Sequence, residues 1–159
     1  MNLPKAIAER VQPVLDALPL HQAMAQLVVK HGASGELKKL VESAIASPEL
    51  SSNKPLCAGL WLYVDELDRS HVISQGIEDA TGSYWHGIMH RREGDFSNSH
   101  YWFHRVGKHP AMKKIDQYDA HQFIDDVEAQ HAKSPAALID LQRREWVALF
   151  EWCAENPGK

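Results

Sequence analysis

Five of the ten histidines in this chain lie in the stretch that begins at His86 and ends at His109, and His86 and His90 stand four residues apart. Neutral imidazole is the commonest protein metal ligand and the usual proton carrier near neutral pH, so this density calls for a chemical explanation. On a helix turning about 100° per residue, His90 lies about 40° from His86, and Asp79, Gly82 and Glu93 lie within about 40° of it. Two imidazoles and two carboxylates therefore share one helical face. Positions i and i+4 sit on adjacent turns roughly 5–6 Å apart, which lets both rings reach one divalent ion such as Zn²⁺. A third ligand comes from Glu93 on the same stripe, or from His71, Asp65 or Glu66 on the element before it. Without a metal, His86, His90 and Glu93 are the groups for acid–base catalysis.

Cations follow directly. Arg91, Arg92, Arg105 and Lys108 face only Glu93 and Asp95 in this block, a local excess of positive charge in a chain of net charge −4. Arg92 falls toward the apolar side of the helix, where a guanidinium must be paired, and Asp65 or Asp95 is the expected partner. Arg91 and Arg105 are free on this reading to clamp a carboxylate or phosphate, with Asp95 and Asn98 at the corner beside them. His100 and His104 repeat the four-residue spacing one helix later, and they face the first pair only if the two helices form a tight hairpin. Tyr84, Trp85, Tyr101, Trp102 and Phe103 interleave with the cations but recur at helical spacing, which reads as core. Together with the net negative charge, this argues against nucleic-acid binding. No nucleophile motif, Gly-rich phosphate loop or CxxC pair is present. Cys57 and Cys153 sit among apolar residues and read as buried free thiols.

The run Tyr84-Trp85-His86-Gly87-Ile88-Met89-His90-Arg91-Arg92-Glu93-Gly94-Asp95, continued by Asn98, Tyr101-Trp102-Phe103, Arg105, Gly107 and His109-Pro110, resembles a block shared by a family of uncharacterised, mainly bacterial proteins. The resemblance brings no activity, ligand or cofactor with it. In that block an arginine is usual where this chain has His104, which favours His86, His90, Arg91, Arg92, Glu93, Asp95 and Asn98 over a four-histidine site.

Helices must position these groups. Apolar residues at helical spacing predict a helix from Leu3 to Leu18 with a kink or break at Pro13, and another from His21 to His31, stopped by Gly32. Ser34 caps a third helix ending at Pro48. Residues 48–55 read as a loop between N-terminal helices over 1–47 and a main helical portion over 56–159. Leu56–Leu67 reads as a buried helix. The stretches 79–93 and 96–106 read as two helices, with Gly94 at the turn and Asp95 as N-cap. Asp119–Ala132 follows. Ser134 caps a last long helix with Pro135 at its first position, reaching Pro157. No segment alternates with period two.

With 44% hydrophobic and 24% charged residues, the composition is that of a globular protein. The expectation is one all-α domain of about six to eight helices. No apolar run is long enough for a membrane span, and no secretory signal follows Met1, so the protein is expected in the cytoplasm. Two functional classes compete. One is an enzyme or small-molecule binder, its ligand anionic, using a His/Glu/Arg pocket with a divalent metal such as zinc. The other is a non-catalytic interaction module in which the block is a structural network and an exposed patch around Trp146, Phe150 and Cys153 meets the partner.

Overall fold

In the computed structural model, which describes residues 1–158, the chain is all-α: nine α-helices and two short 3₁₀ turns, with no strand among the described residues. The helices are α1 (Lys5–Ala17), α2 (Gly35–Ala46), α3 (Pro48–Ser51), α4 (Lys54–Tyr63), α5 (Leu67–Ser74), α6 (Ala80–Glu93), α7 (Phe96–Val106), α8 (Ala120–Gln130) and α9 (Ala136–Glu155). None of them is long and apolar enough to cross a membrane.

The central element is α6. Every residue from Thr81 to Arg92 is buried, so its ionisable face points into the protein rather than to water. Around it lie α4, buried from Leu56 to Tyr63, together with α5, α7 and the inner face of α9. One hydrophobic cluster runs from Ile7 on α1 to Ala154 on α9 and includes Trp61, Tyr84, Trp85, Trp146 and Phe150. A smaller one gathers Leu27, Phe123 and Val127.

Several sequence expectations need correction. The segment from His21 to His31 is not a helix: a turn over Leu20–Met24 leads into irregular chain as far as Ser34. Met24 adopts a left-handed φ of 53°, which breaks the helical course. The hydrogen bonds a helix would have supplied come from elsewhere. Arg143 donates to Ala23 O, Gln142 to Met24 O and Gln26 O, Arg92 to Gln26 O, and the Val29 N–H to Arg92 O. The buried Met24 and Leu27 are thus held by a strap, not a helix face.

Pro13 does not split α1 into two helices, since α1 is continuous through it. Residues 48–55 are not all loop, because α3 occupies four of them and α4 begins at Lys54, capped by Asn53. The buried helix expected to reach Leu67 stops at Tyr63. Ser134 is not the N-cap of α9: it sits at a left-handed φ of 46°, and Pro135 takes the cap position. Finally, Trp146, Phe150 and Cys153 form no exposed patch, as each is at most 1% exposed. Their bulk fills the core between α9 and α4, where the Trp146 indole N–H donates to Gly59 O. Both cysteines are buried and free.

Candidate metal centre

Local sequence sets the two ends of α6. The Asp79 side chain accepts from Gly82 N at 2.9 Å, capping the start. At the other end Gly94 takes a φ of 88°, its N–H bonds to Arg91 O, and the Asp95 N–H bonds to His90 O, which together close the helix in a left-handed C-cap. Asp95 then caps α7 by accepting from Asn98 N at 3.2 Å. The chain reverses in two residues, and α7 runs back along α6. Gly87 permits close approach, since a Cβ there would lie 2.8 Å from the Phe103 ring, and Ser99 Oγ donates to Gly87 O at 2.7 Å.

That hairpin lays Trp102 flat on His86, with ring centroids 3.9 Å apart and planes 16° from parallel. From the other side α5 brings His71, half-buried, with its ring centroid 4.6 Å from His86 and 5.7 Å from His90. His86 and His90 are themselves 4.8 Å apart. One ring nitrogen from each of the three lies within 4.8 Å of the others. His86 is 3% and His90 7% exposed.

Two features of these rings bear on chemistry. His86 Nδ1 is sealed from solvent and has no hydrogen-bond partner among the described residues. Burial, helped by the neighbouring His90 and His71, lowers its pKa to about 4, so it is neutral at pH 7 and its lone pair is free. His90 is held differently. Its Nδ1 lies 2.6 Å from Glu93 Oε1, which makes Nδ1 the donor of that bond and leaves Nε2 as the nitrogen facing away from Glu93. Carboxylate–imidazole pairs of this kind orient metal-ligating histidines. Glu93 thus stands behind His90. His90, Glu93 and Asp95 also cluster within 4.8 Å, but Asp95 is committed to its cap, with Asn98 N and Nδ2 as donors.

The arginines part company with the histidines. Arg91 is fully buried and is no anion clamp: its two terminal nitrogens pair with both oxygens of the buried Glu145 on α9 at 3.0 and 2.5 Å, and its guanidinium lies 4.1 Å from the centre of the Phe123 ring. The Tyr118 hydroxyl donates to the same carboxylate. Arg92 is buried too, bonded to Asp65, Leu62 O and Gln26 O, so the expected Asp65 pairing is present and Asp95 takes no part. Asp95 and Asn98 serve the α7 cap, and Arg105 is exposed. His100 and His104 do not turn to His86 and His90. They meet His121 on α8, where His100 also contacts Asp125 at 2.8 Å.

Tyr118, Asp119 and His121 read in sequence as a small polar group at a helix start; sequence reasoning missed Glu145, the partners of Tyr118 and His121, and the stacking role of Trp102. A signal for Glu145 existed, because Leu141, Glu145 and Leu149 share one i+4 stripe, and a carboxylate inside an apolar stripe demands a buried cation. Nothing in the chain announced which cation. Compared with protein-family models, curated proteins and solved structures, the chain matches none.

Proposed function

We propose that His71, His86 and His90 bind a divalent transition-metal ion of the zinc class, and that the protein is a metal-dependent enzyme acting on a small molecule. One observation carries this reading: three imidazoles from two helices converge on one small volume, two of them buried, with the buried His86 Nδ1 left without a partner. An unpartnered buried polar atom is costly, and an ion bound at His86 Nδ1 would satisfy it. Nitrogens in a tetrahedral zinc set lie roughly 3.3 Å apart, so rings whose nitrogens lie within 4.8 Å of one another would draw closer around an ion. His86 is already deprotonated at neutral pH, so the ion displaces no proton from it.

Three imidazoles leave a fourth coordination position open, the pattern of catalytic rather than structural zinc sites. An ion held by His71, His86 and His90 would supply Lewis-acid activation of a water, chemistry that suits hydrolysis or hydration. Glu93 orients His90. Two buried free thiols fit a reducing compartment, the cytoplasm.

Metal analysis of untagged protein, followed by zinc titration, tests the reading. The expected result is one ion per chain, lost in His86→Ala and in His90→Ala, with affinity lowered roughly 10–100-fold in Glu93→Gln. A wild-type protein that takes up no zinc, cobalt or nickel overturns it, as does binding unaltered by both histidine substitutions.

The competing reading, a structural network, is favoured by a specific observation for the arginines alone: both are buried and ion-paired. The block is read as two layers, arginines that build the fold and histidines that work.

A further inference from the structure

Six of the seven arginines in the chain donate to an oxygen: Arg10 to Glu49, Arg69 to Glu42, Arg91 to Glu145, Arg92 to Leu62 O, Arg143 to Ala23 O and Arg144 to Asp140. Arg105 has no acceptor among the described residues. Its guanidinium instead lies over the Trp102 ring, 5.3 Å from the centroid. The same indole lies flat on His86, so Trp102 touches both the buried histidine centre and an exposed cation.

The cation stands at a cleft of about 290 Å³ walled by Gln75, Ile77, Glu78, Ser83, Trp102 and Arg105. This cleft adjoins the histidine centre along two elements. Ser83 lies one turn before His86 on α6, and Gln75 lies one turn after His71 at the end of α5. Trp102 is the wall between them.

We infer that this cleft binds a small organic monocarboxylate, with Arg105 taking the carboxylate and Trp102 and Ile77 taking the hydrocarbon. A guanidinium with no protein acceptor offers two parallel N–H donors to a carboxylate, and stacking on the indole restricts its orientation. The volume suits a ligand at the small end of the usual range. Glu78 on the same cleft repels a dianion more than a single charge, which favours carboxylate over phosphate. That this ligand is the substrate of the histidine centre rests on the metal reading; the chemistry of the cleft stands without it.

Calorimetric titration of the full-length protein with benzoate, and separately with inorganic phosphate, provides the test, alongside independent metal analysis of each sample. Benzoate is expected to bind the zinc-loaded protein, and Arg105→Gln to weaken it by about tenfold or more with zinc content unchanged. Trp102→Leu also weakens it. Equal benzoate affinity in wild type and Arg105→Gln overturns the inference, and so does phosphate binding more tightly than benzoate. A wild-type protein that takes up no metal but binds benzoate in an Arg105-dependent way upholds the cleft and removes the metal reading, so the two failures are distinct.

Discussion

Arg91 and Arg92 are neighbours in sequence, yet their charges are met from opposite directions, by Glu145 on α9 and by Asp65 between α4 and α5. Each therefore ties α6 to a different part of the chain. A buried ion pair gains little over an apolar replacement, but a single unpaired charge left behind is expensive. Glu145→Gln is accordingly expected to destabilise the protein by about 3–5 kcal/mol in urea denaturation, while Arg91→Met with Glu145→Leu recovers most of that loss. Equal destabilisation by the single and double variants removes this account. His86 obeys the opposite logic. It is buried, its Nδ1 has no protein partner, and it stays neutral, the state that suits a ligand and not a member of a salt bridge.

Packing between α6 and α7 decides whether Trp102 covers His86. The left-handed Gly94 and the Asp95 cap fold α7 back, and Gly87 lets the Phe103 ring seat against the α6 backbone. A methyl group at position 87 would meet that ring at 2.8 Å, so the two helices would have to separate. Gly87→Ala is expected to cost about 1–3 kcal/mol and, by lifting Trp102 from His86, to weaken zinc binding as well. Stability and metal affinity measured on the same preparation check both halves; an unchanged zinc affinity detaches the hairpin from the centre. The α6–α7 boundaries were legible in sequence because Asp79, Gly94 and Asp95 are local signals whose partners lie within three or four residues. The strap from Leu20 to Ser34 was not, because its carbonyls bond to side chains of Arg92, Gln142 and Arg143 far along the chain.

Across the described residues burial lowers the pKa of three histidines, and two of them, His86 and His109, fall to about 4. Both belong to helices that pack into the main core or cap a turn against it, and Thr81 Oγ1 lies 3.1 Å from His109 Nε2. With folded values below the ordinary histidine value, the unfolded chain binds more protons between about pH 6.5 and pH 4. The stability these rings contribute is therefore present above about pH 6.5 and lost as pH falls toward 4. Urea midpoints measured from pH 7 to pH 4 should fall across that window, and His109→Gln should flatten part of the slope. A midpoint constant over the window contradicts the burial of these rings in neutral form. The same core that imposes this neutrality draws residues from both sides of 48–55, from Ile7 to Ala154, which is why that segment is a bend within one cluster.

The sequence alone determined the all-helical character, the limits of α6 and α7, and the shared face of His86, His90 and Glu93. Those properties follow from 3.6-residue periodicity and from caps whose donor and acceptor are near neighbours. Tertiary structure decided everything that depends on separate elements meeting. It brought His71 beside His86 and His90 and set Glu93 against His90 Nδ1. It sent Arg91 to Glu145 rather than to a ligand, and it turned His100 and His104 toward His121. Which helices pack together, and at what angle, is set by side chains distant in sequence whose burial is settled only when the whole core closes.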